Sequence, residues 1–218
     1  MKNILSITAG LTFCSIAISY KENLFELNSE VNSTSHLPWL VQKILEENKI
    51  EPNEIEGIIT SAGPGSFTGM RAAQSFVKGF AFALKIPAVS VSYFDVIENE
   101  AKKRFGCKNF PKLIVIKSEK KQVYYCMRES EKKSSFGVSA CDISELIKNM
   151  KNDFCIIGDA IEEISPYVNN DIPKYVMNDF KNAKYFSDFA YKLEEPNPKI
   201  DTIYINASTN ASLKIPEK

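Results

Sequence analysis

Short apolar runs alternate with longer stretches of helical periodicity along this chain, and the alternation predicts its elements. Residues 3–8, 13–19 and 23–29 read as three strands, the first two joined as a hairpin through a Thr8-Ala9-Gly10 turn. Leu37, Leu40, Val41, Ile44 and Leu45 form one stripe of a helix near 36–48. His36 reads as its first residue, with Thr34 and Ser35 beside it as capping groups. A strand near 55–61, a helix over 67–84, a strand over 87–92 and a helix over 93–104 complete the first half. The second half restarts at Lys112 with a strand, a turn at Ser118–Lys121 and a strand over Gln122–Arg128. A polar turn (Glu129–Ser135) and a strand near 136–141 follow. Asp142 with Glu145 three residues on makes a capping box for the next helix. A strand at 154–157, a helix over 160–169 and a short strand at 175–177 come next. A helix over Ala183–Leu193 carries Tyr185, Phe186, Phe189 and Leu193 on one face and ends before Pro196 and Pro198; the last dozen residues are expected to fray.

Each half therefore runs strand-strand-strand-helix-strand-helix-strand. This order predicts two α/β domains, 1–104 and a smaller 105–218, with helix 183–194 packing back across them. At 218 residues, the chain is long enough to bury a substantial core. Lys and Arg number 27 and so do Asp and Glu, so no basic excess points to nucleic-acid binding by the chain alone. The five cysteines (14, 107, 126, 141, 155) are scattered without a Cys-x-x-Cys pair, which suits reduced thiols better than a disulfide framework or a zinc site. Lys2 followed by the apolar Ile4–Tyr20 has the outline of an export signal. Bulky Phe13 before Cys14 is wrong for lipoprotein cleavage, however, and Lys21-Glu22 stands where a small-residue site would. The stretch reads as the hairpin, no other run is long enough to span a membrane, and a cytoplasmic location is expected.

The densest local signal is Gly63-Pro64-Gly65-Ser66-Phe67-Thr68-Gly69, between a strand and a helix. Backbone N–H groups and the helix dipole converge there, so Gly63, Gly65, Ser66, Thr68 and Gly69 form a candidate anion or nucleotide turn. The alternative is a tight turn with Ser66 capping the helix and Gly65 in a backbone region closed to valine. The spacing matches neither a dinucleotide fingerprint nor a Walker loop. The following helix is apolar nearly all round. Met70, Phe76, Val77 and Phe80 interleave with small Ala72 and Ala73, so one side would face its own sheet and the other something else. On helix 36–48, Leu40 and Ile44 lie in the stripe, while Trp39, the only tryptophan, lies off it as a candidate interface anchor. The alternative is that both helices merely pack on the sheet and each other.

Gly63-Pro64-Gly65-Ser66-Phe67-Thr68-Gly69-x-Arg71, with Lys78-Gly79 and Ile86-Pro87-x-Val89-x-Val91-Ser92, resembles the TsaB family, closely over 35–95 and loosely from Ile4 to Ile205. The resemblance implies two ribonuclease H-like (actin-like ATPase) domains, each with a mixed sheet of order βββαβαβ flanked by helices. It also implies a non-catalytic role in tRNA threonylcarbamoyladenosine modification. The partners it implies are a TsaD-type threonylcarbamoyl transferase and a TsaE-type ATPase, with tRNA met only through the complex. In the family, the two helices of the first domain pair with their equivalents on the transferase; the same surface can also serve a homodimer. Superfamily enzymes hold metal through acids on the turn after the first strand of each half, where this chain has Thr8 and Lys117, with Glu119 two positions late. The catalytic sister uses a His-x-x-x-His pair, and this chain has one histidine. No catalytic residue, metal or cofactor is therefore expected. A small kinase or nucleotide hydrolase of the same fold is the alternative, and an exported binding protein a more distant one.

Overall fold

The computed structural model describes residues 2–11, 13–29, 34–107, 111–118, 123–129, 134–138 and 154–203. They divide into two compact units, Met1–Val96 with Asp179–Tyr204, and Ile97–Asn178 with Ile205–Lys218. The expected helix from Asp142, the turn around Glu119, Tyr204 and Ile205, and the chain end lie outside the described residues.

The first unit is built on a sheet of order β3-β2-β1-β4-β5: β1 Ile4–Thr8, β2 Cys14–Tyr20, β3 Asn23–Ser29, β4 Gly57–Gly63 and β5 Ala88–Ser92. β1, β2 and β3 run antiparallel in sequence, while β4 pairs in parallel with both β1 and β5. The apolar Ile4–Thr8 is thus a central strand paired on both sides, as its buried, near-continuous apolar pattern requires. Register puts Leu5 beside Ile18 and Ile58, and Ile7 beside Ile16, on one face. That face packs on α1 (Leu37–Glu47) and α2 (Phe67–Leu84) through Leu40, Ile44, Ala73 and Val77. His36 occupies the cap position of α1 without a side-chain bond, and a 3-10 turn over Thr34–His36 precedes it.

The opposite face is covered by Ala183–Glu194, where the structure departs from the expected α-helix: the segment is 3-10 with a kink at Phe189. Ala183, Phe186 and Phe189 are buried and lie three residues apart, the spacing that eclipses on a 3-10 helix. Phe186 and Phe180 meet Tyr93 edge-on, with ring centroids 5.5 and 5.8 Å away.

The second unit repeats the topology. Its strands are β6 Lys112–Lys117, β7 Val123–Arg128, β8 Ser134–Val138, β9 Cys155–Gly158 and β10 Lys174–Val176, in the order β10-β9-β6-β7-β8. β6, β7 and β8 are antiparallel in sequence, and β9 is parallel to both β6 and β10. One face (Leu113, Val115, Val123, Met127, Ile156) packs on Ile161, Ile164 and Val168. The helix expected over 160–169 is shorter here, a four-residue α4 (Ile161–Ile164) continued by a 3-10 turn at Ser165–Tyr167, because Pro166 supplies no backbone donor. The other face carries Lys112, whose ammonium is fully buried and lies 3.3 Å from Glu98 on α3 (Tyr93–Phe105). Glu98 also meets Lys102 at 3.1 Å and Arg128 at 3.5 Å, so the buried lysine sits within a charge network.

Candidate functional site

The glycine turn between β4 and α2 is folded against the turn that follows β1. The Ser66 N–H donates to the Gly10 carbonyl at 2.5 Å. A Cβ at Gly65 would stand 2.2 Å from that same carbonyl oxygen, and one at Gly69 would stand 3.3 Å from the Gly10 Cα. Gly65 is not among the residues with positive φ, so glycine is required by close backbone approach rather than by the conformation expected from the sequence. Gly10 and Gly63 do have positive φ (96° and 104°), and a Cβ on either would strike Met70. Ser66 caps α2, its Oγ accepting the Gly69 N–H at 3.4 Å. Two donors of the candidate anion turn are therefore spent within the unit. Exposed at the turn are Thr68 and Phe67, with the Arg71 guanidinium 4.0 Å from the Phe67 ring centroid.

Of the two turn positions Thr8 and Lys117, the first is buried within its unit and the second lies in a surface ion pair. Thr8 is buried and its hydroxyl donates to the Lys181 carbonyl at 2.8 Å. Beside it, the Ser61 hydroxyl donates to the Ala9 carbonyl at 3.1 Å, and Tyr93 is packed so deeply that burial pushes its phenol well above the ordinary range. The Lys117 ammonium lies 3.0 Å from Glu163 and 4.0 Å from Glu162. The hydrogen bond to Glu163 raises the Lys117 pKa. The Lys117 backbone N–H donates to the buried Asp159 carboxylate at 2.7 Å. The signal for Asp159 in the sequence is a lone carboxylate one glycine beyond the apolar run 154–157. Among the described residues no group of three or more His, Cys, Asp and Glu is arranged to hold a metal ion.

The helix surfaces divide differently from the sequence expectation. Leu40, Ile44, Met70, Ala73 and Val77 are buried within the first unit, and Phe76 and Phe80 are half-buried against the same core, stacked on each other at 5.7 Å. Leu40 and Ile44 on α1 and Ala73 and Val77 on α2 pack on the sheet, and Met70 lies against Gly10 and Gly63. Trp39 and Ala72 do face outward, Trp39 at 57% exposure with the Lys43 ammonium 5.0 Å from its ring centroid. Phe67 at 51% and Phe82 at 85% exposure also open onto the outside of α2. Thr68, Ala72, Ser75, Gly79 and Phe82 recur along it at spacings of four and three. A Cβ at Gly79 would have nothing within 4 Å, so this mid-helix glycine has no packing role within the described residues.

The family model for tRNA N6-adenosine threonylcarbamoyltransferase (TsaD) matches residues 28–211. The tRNA threonylcarbamoyladenosine biosynthesis protein TsaB of Buchnera aphidicola subsp. Acyrthosiphon pisum is 31% identical over 170 residues, covering 74% of this chain and 76% of that protein. The TsaB of Buchnera aphidicola subsp. Baizongia pistaciae is 26% identical over 94% of this chain and 99% of its own length. Among solved structures, YeaZ from Pseudomonas aeruginosa superposes with a TM-score of 0.69 at 19% identity, over 94% of this chain and all of that one. This last likeness concerns the fold: mixed α/β, with two mixed sheets.

Proposed function

Since the chain belongs to the TsaB family, within the wider family of the TsaD model, we propose that it is a non-catalytic subunit of the tRNA threonylcarbamoyladenosine machinery. It pairs with the TsaD-type transferase through the outer surface of α2, with Trp39 of α1 at the rim. The observation that carries this reading is Gly79, which costs helix stability of about 1 kcal/mol relative to alanine. It lies open on a small-residue surface beside the exposed Phe82, where a partner helix can approach the backbone closely. The missing acids at Thr8 and Lys117 and the single histidine support a partner rather than an enzyme, and favour this reading over a small kinase or hydrolase. A TsaE-type ATPase joins the same complex, tRNA is met through it, and the isolated chain can self-associate through the same surface. The complex works in the cytoplasm. Among the described residues, no helix is long and apolar enough to cross a membrane.

The test is co-purification of Ala72→Glu and Trp39→Ala with the transferase, together with nucleoside analysis of tRNA from cells carrying each variant. Ala72 is exposed, so the glutamate leaves the unit folded by circular dichroism. In the complex it would be a desolvated carboxylate costing about 3 kcal/mol or more, and both complex and modified adenosine are expected to be lost. Trp39→Ala weakens the same contact to a lesser degree. A folded Ala72→Glu chain that still co-purifies and sustains full modification overturns the proposed interface.

A further inference from the structure

Two half-buried cysteines from distant parts of the sequence are brought together in the second unit. In a parallel ladder, registered partners share a face, and so do residues two apart along one strand. Tyr175 pairs with Ile157, and Cys155 lies two residues before Ile157, so Tyr175 and Cys155 share one face of the sheet. Lys112 pairs with Cys155 and is bonded to Glu98, so this is the face that α3 covers. The end of α3 seats Phe105 on the Tyr175 ring with centroids 5.0 Å apart. Gly106 then takes φ +65°, and the following segment reaches Pro111, whose carbonyl accepts the Cys155 N–H at 3.4 Å. Cys107 is held between those two anchors. Burial and then the neighbouring Cys107 thiol raise the Cys155 thiol, and Cys107 likewise raises the Tyr175 hydroxyl, which places Cys107 beside both. Both cysteines are free thiols.

We infer that Cys107 and Cys155 form a dithiol site that exchanges with small-molecule disulfides and closes into an intramolecular bond fastening the end of α3 to the sheet. In the first step the Cys107 thiolate attacks one sulfur of the disulfide. The protein–reagent mixed disulfide forms, and one reagent thiolate leaves and takes up a proton. In the second step Cys155 gives up its proton and attacks the Cys107 sulfur, expelling the second reagent thiol. Two protein thiols are oxidised, and one reagent disulfide is reduced to two thiols. Cys155 suits the second, intramolecular role, since burial holds its thiol up at about 11 and makes it a poor first nucleophile. Among the described residues the other two cysteines, Cys14 and Cys126, are fully buried.

The probe is oxidised glutathione, added to the reduced full-length chain and followed by intact mass and peptide mapping. The expected product is a Cys107–Cys155 linked peptide, lighter by two hydrogens than the two reduced peptides together and carrying no glutathione. It forms faster as the pH is raised from neutrality. In Cys155→Ser the Cys107 peptide is expected to keep one glutathione. A wild-type chain that ends with glutathione on both cysteines, that links another pair, or that does not react, overturns the inference. The wild-type readout is decisive even if the variant folds poorly.

Discussion

At Gly65 a single added methyl would come within 2.2 Å of the Gly10 carbonyl oxygen, an atom fixed by its bond to the Ser66 N–H. Neither backbone can give way cheaply, so Gly65→Ala is expected to destabilise the protein by about 2–4 kcal/mol. Urea unfolding at neutral pH measures this, and an unchanged midpoint would show that the two turns separate freely. Tyr93 makes a different kind of prediction. Burial raises its phenol above the ordinary 10.0, so the folded state favours the protonated form. The stability it contributes is complete below the unfolded value and is lost as the pH rises above it towards the folded one. Tyr93→Phe keeps the ring contacts with Phe180 and Phe186 and removes the ionisation. Its melting temperature should fall less than that of the wild type between about pH 9 and about pH 11. An equal fall in both proteins would remove Tyr93 as a source of alkaline lability.

Among the elements, α2 was legible almost to the residue, because Ser66 is a strong capping group and the apolar run ends at Leu84. Which of its apolar positions are core was not legible. Phe76, Phe80 and Phe82 are chemically alike, yet Phe82 alone of the three faces water, and only the placement of the sheet decides this. The segment 183–194 shows a second limit. Its aromatic spacing fits an α-helix with Tyr185 on the buried face. The chain winds more tightly, so that Ala183, Phe186 and Phe189 meet the sheet and Tyr185 turns towards Asp179, to which its hydroxyl donates. A difference of less than one residue per turn is small in the sequence pattern and large in three dimensions.

For the whole molecule, the first unit is completed by a segment far away in the sequence. Phe180, Phe186, Phe189 and Leu193 fill one face of its sheet, and a Cβ on Gly57 would already collide with Leu193. A chain ended after Asn178 would expose that face and leave Thr8 without the Lys181 carbonyl. Such a truncation is expected to abolish the cooperative unfolding of the first unit, read as loss of protection of β1 and β4 amides in hydrogen exchange. Retention of native protection would show that the 3-10 segment is dispensable.

The duplicated order of strands, the approximate ends of most of them and the unusual glycine turn were all determined by the sequence, because hydrophobic period, capping and turn chemistry act between residues close in the chain. The repeated sheet order bears this out, with β1-β2-β3-β4-β5 and β6-β7-β8-β9-β10 paired alike. Tertiary structure alone decided why Gly65 must be glycine, what Thr8 and Lys117 do, which side of α2 remains outside, and that Cys107 meets Cys155. Each of these depends on a contact whose partners lie far apart in sequence, Gly10 with Gly65, Thr8 with Lys181, Lys117 with Glu163, Cys107 with Cys155. Local periodicity carries no record of such distances; the packing of complete sheets and helices creates them.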